Sequence, residues 1–242
     1  KPNGLWVGYD QKNKIIISVP YVDGSVDGTV KEFAYEYPAD KNSDMLYYES
    51  PIKDSLPKKK VYYLSRVVDY KNGMMDGADS RFNWYSEVTS ESHYKEGYLH
   101  GKSIERNELA YSVMNYADGS LDGYVQTYLT LQNQDSILLY DLNFQDGALQ
   151  GESKSYHLNG NLSKRGFFLN GEPIDDYVAF DSLGFKYHYV KFKYSYPVEE
   201  KLWEENELSV RYLFDWQDSI RFEPEDITTS QSNMKCRPSI SF

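Results

Sequence analysis

The sequence is poor in the residues that build disulfides, metal sites and nucleophilic centres. Among 242 residues there is one cysteine, Cys236, and there are four histidines, at positions 93, 100, 157 and 188. A single thiol excludes an intramolecular disulfide and cannot build a metal site alone, and the histidines lack the spacing of a metal site. The Gly-x-Ser-x-Gly motif of serine hydrolases is also absent. We therefore expect no catalytic residue, no metal ligand and no bound cofactor, and hence no enzyme.

Positive charge and long apolar runs are scarce as well. Lys and Arg total 26 against 37 Asp and Glu, which gives a net charge of −11. Such a field repels nucleic-acid phosphates and anionic membrane surfaces. The basic run at residues 58–60 is short and follows Pro57, which favours a solvated loop. No apolar run approaches the roughly 18 residues of a membrane span, so we expect neither a nucleic-acid partner nor a membrane-spanning segment.

What the chain has instead is a repeat. An aromatic residue, two further residues, a glycine, three residues and a second glycine recur about every 24 residues. A sixth copy keeps the spacing but has Pro173 and Asp175 in place of the aliphatic residue and the second glycine. One degenerate copy is expected between Tyr35 and Tyr63, where the spacing doubles. The five regular copies lie at residues 21–28, 70–77, 94–101, 116–123 and 144–151.

Each repeat has the chemistry of a β-hairpin. The Asp-Gly, Asn-Gly or Glu-Gly pair supplies the positive φ of a tight turn, and the aliphatic residue two positions on enters the next strand. The second glycine lies inside that strand, where it permits a bulge or a close neighbour. The 24 tyrosines and 11 phenylalanines also favour strands. The sequence therefore predicts an all-β fold, an elongated antiparallel β-meander or solenoid of repeated β-hairpins with C-terminal capping strands.

The pattern divides the chain into three segments. Residues 1–185 form the predicted hairpin array, which begins with an initial strand over residues 1–19. Residues 186–223 alternate apolar and polar side chains but lack the two glycines of the repeat. This pattern predicts two or three capping strands. Within them, residues 198–206 (VEEKLWEEN) are interpreted as a helical turn or a charged loop. Residues 224–242 turn polar, with two prolines, and predict an irregular tail.

The repeat resembles the bacterial variant of the MORN (membrane occupation and recognition nexus) motif. The best match is FQDGALQGESKSYHLNGNL at residues 144–162, which looks like the variant's aromatic-x-Asn/Asp-Gly-x-Leu-x-Gly-x5-Tyr-x2-Asn-Gly-x-Leu unit. The resemblance covers residues 21–184. It implies that the motif residues are structural, so no catalytic residue carries over. Some relatives are regarded as scaffolds, lipid-associated modules or antitoxin components. The resemblance therefore implies that this chain binds a partner.

A rival interpretation is the choline-binding repeat, which also joins Asp-Gly turns to aromatic strands. That repeat needs a tryptophan directly after the second glycine. This chain has other residues there, namely Thr29, Ala78, Lys102, Tyr124 and Glu152. The MORN-like interpretation is therefore favoured.

Three groups of side chains are candidates for a site, each with a structural alternative. The similar turns at residues 23–28 and 118–123 place carboxylates along one edge, which suits Ca²⁺, but hairpin-turn chemistry alone explains these aspartates. Adjacent Asp175 and Asp176 point to opposite faces of a strand, so they form a carboxylate pair only if a bulge intervenes. Tyr187 and Tyr189, opposite the Val190 face, are the first candidates for exposed aromatics that contact a sugar, a peptide or a partner.

These observations favour a non-catalytic binding or scaffold protein that holds a protein or glycan partner on one face of its sheet. The chain begins at Lys1 without a methionine, which the removal of an export signal explains, so we expect an exported bacterial protein of the periplasm or cell surface. The alternative is an intracellular antitoxin-like protein that binds a partner protein. The oligomeric state is left open.

Overall fold

Every regular element that the computed structural model describes is a β-strand. The structure describes residues 1–36, 61–131, 135–204, 206–214 and 220–222. Within these ranges there is no helix, and successive strands pair antiparallel, which confirms the predicted all-β meander of hairpins. The chain forms two compact units, Lys1–Asn107 and Glu108–Phe242. Most of the predicted degenerate repeat, the basic run at 58–60 and the tail at 224–242 lie outside the described residues.

In the first unit, a two-residue strand follows most glycine turns and a longer strand continues after the second glycine. The strands are β1 (Gly4–Tyr9), β2 (Ile15–Val22), β3 (Ser25–Val26), β4 (Gly28–Glu36), β5 (Val61–Lys71), β6 (Met74–Phe82), β7 (Val88–Lys95), β8 (Tyr98–Leu99) and β9 (Gly101–Arg106).

The predicted single initial strand over residues 1–19 is wrong, because the chain turns within it. β1 pairs antiparallel with β2. The side chain of Asp10 closes the turn between them: its Oδ1 accepts hydrogen bonds from the backbone N–H groups of Lys12 and Lys14, both at 2.8 Å. Asn13 takes the positive φ of 57° that the turn needs. Aspartate and asparagine favour such turns because their short side chains bond to the nearby backbone.

The second unit continues the same pattern. β18 pairs with β17 on one side and with β19 on the other, so the meander runs on past residue 185 within this unit. The strands are β10 (Ala110–Ala117), β11 (Ser120–Leu121), β12 (Gly123–Thr130), β13 (Ser136–Gln145), β14 (Ala148–Leu149), β15 (Gly151–Tyr156), β16 (Leu162–Leu169), β17 (Glu172–Phe180), β18 (Lys186–Lys193), β19 (Tyr196–Glu204), β20 (Glu207–Phe214) and β21 (Ile220–Phe222).

The predicted helical turn or charged loop over residues 198–206 is also wrong. Most of this segment belongs to β19, which pairs with both β18 and β20. Its charged side chains are compatible with a strand because the neighbouring strand supplies a counter-charge: Arg211 on β20 binds Glu199. Pairing on both sides outweighs the weak intrinsic strand propensity of Glu and Lys.

The two glycines of a repeat serve different backbone features. In the first repeat Asp23 and Gly24 have φ values of 49° and 91°, as a type I′ hairpin turn requires. The second glycine, Gly28, has a φ of 111° and marks a bulge. Tyr21 lies opposite Val26 while residue 18 lies opposite residue 31, so two residues on β2 face four on the partner side. The predicted bulge at the second glycine is confirmed.

The sixth repeat keeps the bulge although the glycine is gone. Phe167 lies opposite Ile174 and Arg165 lies opposite Val178, so one residue on β16 faces three on β17. Asp175 stands in the glycine position and adopts its left-handed conformation, with a φ of 58°. Aspartate tolerates this region better than most residues, but at a cost in free energy.

A ladder of hydrogen bonds joins consecutive repeats and explains the polar residue before the second glycine. Asp27 Oδ2 accepts a hydrogen bond from the backbone N–H of Asn72 at 3.1 Å, and the N–H of Gly73 donates to the carbonyl of Val26 at 2.8 Å. In the second unit the same side-chain contact is made between Gln150 Oε1 and the N–H of Asn170, also at 3.1 Å. The aspartates of the turns therefore hold one repeat to the next.

Each unit has a small core of its own. In the first unit Val19, Val30 and Val68 are buried, and partly buried aliphatic and aromatic side chains pack around them. In the second unit the core consists of Tyr177, Ala179, Val190 and Phe192 from β17 and β18. Because the side chains of a strand alternate between the two faces, the residues next to these four on β17 and β18 lie on the opposite face of the sheet.

Candidate functional site

A transverse row of side chains crosses six strands of the second unit on the face opposite the Val190 core. Its members are direct cross-strand neighbours, one from each strand from β15 to β20. At about 4.8 Å per strand the row is about 24 Å long. Four of the six members are cationic, in the order Lys154, Arg165, Val178, Tyr189, Lys201 and Arg211.

Tyr189 lies at the centre of a cluster of charged and aromatic groups. Its hydroxyl donates a hydrogen bond to Asp176 Oδ1 at 2.7 Å. The Nζ of Lys201 lies 5.2 Å from the centre of its ring, and the Nζ of Lys186 lies 5.9 Å from the same point. Lys186 Nζ also lies 5.5 Å from the ring centre of Trp203. Cations at these distances are attracted to the negative face of an aromatic ring, which holds the cluster together.

Glu199 ties two cations of the row to one carboxylate oxygen. Its Oε1 accepts a hydrogen bond from Nε of Arg211 at 2.8 Å, and it lies 2.8 Å from Nη2 of the same guanidinium and 3.1 Å from Lys201 Nζ. A similar ion pair joins Lys154 to Glu152 on β15. The long cationic side chains are therefore held in defined positions.

The environment moves the pKa values of this cluster away from neutrality. Burial, and then the hydrogen bond to Asp176, raises the pKa of Tyr189 well above its usual value. Burial acts to raise the pKa of Glu199, but the hydrogen bonds from Lys201 and Arg211 outweigh it, so that pKa is lowered. The hydrogen bond to Glu152 raises the pKa of Lys154. General acid–base catalysis needs a pKa near the working pH. The shifts instead keep Glu199 and Lys154 charged and keep Tyr189 a neutral hydrogen-bond donor.

The face carries more positive than negative charge. We call it the basic face and define it by seven cationic residues: Lys154, Arg165, Lys186, Lys191, Lys193, Lys201 and Arg211. Three carboxylates lie among them, Glu152, Asp176 and Glu199. Two more act on the same groups: Asp141 lies directly opposite Lys154 on β13, and the charge of Asp175 reaches Tyr189. The surplus is therefore two positive charges. Lys191 and Lys193 are exposed and alternate along β18 with buried Val190 and Phe192.

Four of the seven cations have no carboxylate partner within the described part of the chain: Arg165, Lys186, Lys191 and Lys193. Arg165 is partly buried, and its Nε has no hydrogen-bond partner among the described residues. Its guanidinium lies 6.0 Å from the ring centre of Phe167. The basic face therefore has cationic groups that form no ion pair within the described residues, although Asp176 and Glu199 lie directly across the strands from Lys191.

Positive charge is unevenly distributed along the chain. Between Arg106 and Lys154 the sequence has seven carboxylates and neither lysine nor arginine, whereas eight lysines and arginines and nine carboxylates lie from Lys154 to Arg211. The return of the cations is the sequence signal for the basic face, and the fold then separates most of them from the carboxylates. Spacing alone does not reveal it, because the bulges shift the register between strands.

The two predicted aromatic candidates have different outcomes. Tyr187 is 44 % exposed, which confirms the expected exposure. Tyr189 is only half-buried rather than exposed, because Lys186 and Lys201 cover its ring and Asp176 binds its hydroxyl. Asp176, considered for a carboxylate pair with Asp175, instead accepts this hydrogen bond.

The remaining predicted candidates have structural partners. Asp27 takes part in the ladder between repeats described above. His157 Nε2 lies 2.8 Å from the carbonyl oxygen of Phe180, and His188 Nε2 lies 2.8 Å from Glu200 Oε1. No cluster of three or more His, Cys, Asp or Glu side chains with metal-binding geometry occurs in the described ranges. Cys236 lies outside those ranges.

The sequence analysis missed a buried ion pair in the first unit. Asp79 is 3 % exposed, and its two carboxylate oxygens accept hydrogen bonds from Nε and Nη2 of Arg66 at 2.7 and 2.8 Å. This bond raises the pKa of Arg66 further above its usual value. Glu32 lies 3.5 Å from Nη1 of the same guanidinium. A two-pronged pair of this kind fixes the side chains and the register of β5 and β6.

A surface pocket of about 400 Å³ lies where β13 begins and β15 ends. None of its lining residues carries a charge at neutral pH, and its chemistry is that of aliphatic, hydroxyl and amide groups. The lining consists of Ser136, Ile137, Leu138, Tyr156, Leu158, Asn159 and Gly160.

Comparison with known proteins adds no assignment. No protein-family model matches the chain, and no curated protein matches it either. The described residues include no helix of the length and apolar character needed to cross a membrane.

Proposed function

We propose that this chain is a non-catalytic binding protein that holds its partner on the basic face of β15–β20. The observation that carries the proposal is the transverse row, in which cations from four strands flank an aromatic residue. Such a row presents fixed, partly desolvated groups over about 24 Å, the scale of an interface rather than of a catalytic centre.

The electrostatics support binding rather than catalysis by these residues. Tyr189 stays a neutral hydrogen-bond donor, and Glu199 stays ionised, because their pKa values move away from neutrality. Aromatic and arginine side chains are the groups that most often dominate the free energy of protein association. Rings and guanidinium groups that are already fixed lose little conformational entropy on binding.

Site-specific photo-crosslinking in the source cell tests this function. A photoreactive amino acid in place of Lys191 reports on the basic face, and the same substitution at exposed Lys102 on β9 is the matched control. We expect a discrete adduct from position 191, lost when excess unmodified protein competes, and none of comparable yield from position 102. Equal adducts at both positions, or no adduct at position 191, would contradict the proposal.

A further inference from the structure

The charge of the basic face identifies the kind of partner, an inference that rests on the proposed function. We propose that the basic face binds an acidic polypeptide segment that also carries apolar side chains. The face keeps a surplus of two positive charges, after Asp141 and Asp175 are counted, in a chain whose net charge is −11. A local charge of the opposite sign to the whole molecule selects partners by electrostatic complementarity.

The mixed character of the face favours a polypeptide over a polyphosphate. Glu152, Asp176 and Glu199 lie among the cations and repel a continuous line of phosphates, whereas their oxygens accept hydrogen bonds from the N–H groups of a peptide. The rings of Phe167, Tyr189 and Trp203 lie near cations on the same face. These rings provide contact area for apolar side chains of the partner that lie between its acidic side chains.

The unpaired cations are the groups that engage the partner's carboxylates. Lys191 and Lys193 project from β18 on the exposed side, and Lys186 reaches over Tyr189 from the start of the same strand. Arg165 on β16 has an incomplete set of hydrogen bonds. Lys154, Lys201 and Arg211 are already paired within the fold, so they position the surface and add to its potential.

Fluorescence anisotropy with a labelled glutamate-rich peptide that contains phenylalanine tests the inference. We expect the full chain to bind this peptide, to bind a lysine-rich peptide of equal length much more weakly, and to lose affinity as salt is added. The variant Lys191→Glu with Lys193→Glu should bind the acidic peptide about tenfold more weakly. Lys191 is the direct cross-strand neighbour of Asp176 and Glu199, so a glutamate there also repels these two carboxylates. The neutral variant Lys191→Gln with Lys193→Gln avoids this repulsion and should also bind the acidic peptide more weakly, with Lys95→Gln and Lys102→Gln as its control.

A matched control separates the local effect from the change in net charge. Lys95→Glu with Lys102→Glu changes the net charge equally but alters exposed positions of the first unit, and it should shift the affinity by less than about twofold. Circular dichroism spectra and unfolding midpoints of both variants confirm that each is folded.

Several outcomes would overturn the inference. Failure of the acidic peptide to bind, or an equal loss of affinity in both double variants, contradicts it. Tighter binding of a single-stranded oligonucleotide or of anionic lipid vesicles shows that the occupant is of another class. Concentration-dependent self-association that the basic-face variant abolishes identifies a second copy of this chain as the occupant. If the peptide fails while position 191 still crosslinks in the cell, the proposed function stands and only the acidic nature of the partner is wrong.

Discussion

Tyr189 on β18 donates its phenolic hydrogen to Asp176 on β17, with 2.7 Å between the two oxygens. The bond joins a half-buried ring to a carboxylate within the bulge of the sixth repeat. It keeps the ring within 6 Å of the ammonium groups of Lys186 and Lys201, which lie 5.9 and 5.2 Å from its centre. The relationship links the backbone irregularity at Asp175 to the arrangement of the basic face.

Removing the hydroxyl of Tyr189 tests that link. Tyr189→Phe leaves the ring in place but deprives Asp176 of its donor, so the free energy of unfolding should fall by about 1 kcal/mol. Chemical denaturation measures the change. Tyr124→Phe, at a 62 % exposed position of β12, is the control and should stay within about 0.5 kcal/mol of the parent. An equal effect at both positions would show that the Asp176 bond contributes nothing.

Replacing Asp175 by glycine should stabilise the protein. Asp175 occupies a φ of 58°, which glycine adopts without strain, so we expect a gain of about 0.5–1 kcal/mol in the free energy of unfolding. The opposite change at a true glycine position, Gly77→Ala, should destabilise by about 2 kcal/mol or more. The φ there is 123°, and an added Cβ would lie 2.9 Å from Asp69 Cβ. A destabilised Asp175→Gly variant would contradict this account of the sixth repeat.

The buried pair of the first unit gives a third prediction. Asp79→Ala leaves the Arg66 guanidinium without its main partner, and the free energy of unfolding should fall by about 2–3 kcal/mol. The double variant Arg66→Met with Asp79→Leu should recover much of this loss, because no uncompensated buried charge remains. Glu91→Ala breaks the exposed pair with Arg106 and should cost less than about 0.5 kcal/mol. Similar losses in Asp79→Ala and Glu91→Ala would show that the burial of Asp79 is unimportant.

Acid should weaken the basic face through Glu199. The folded-state pKa of Glu199 lies below its ordinary value of 4.5, so the stabilisation it contributes is present above the unfolded pKa and is lost as the pH falls through the folded one. Glu199→Gln should therefore lower stability at neutral pH and show a smaller further decrease between neutral pH and about pH 3 than the parent. Urea denaturation at several pH values measures both curves. Parallel curves would contradict the role assigned to the Lys201 and Arg211 contacts.

The sequence was sufficient to predict the features that are local in the chain. Asp23-Gly24 determines a turn through the φ values of two adjacent residues, so the repeat, the strand class and the bulge at the second glycine followed from spacing. The turn at Asp10 was missed because its signal lies in an Asx hydrogen bond rather than in a glycine pair.

The basic face depends on register and was not predicted. Lys154, Arg165, Tyr189, Lys201 and Arg211 become neighbours only when each bulge and register shift is counted correctly across six strands. Residues 198–206 were misread for a related reason, because their charges looked suited to a helix or loop until Arg211 supplied a cross-strand partner. The MORN resemblance, the exported location and the identity of the partner stay predictions.

The most direct test of the central claim is lysine-reactivity footprinting of the protein in its source cells and after purification. Acetylation followed by mass spectrometry reports how accessible each lysine is in the two states. We expect Lys186, Lys191 and Lys193 to be protected in the cell relative to the purified protein, while Lys95 and Lys102 react equally in both. Equal reactivity of the basic-face lysines in both states, or protection confined to Lys95 and Lys102, would contradict the assignment of the basic face as the binding surface.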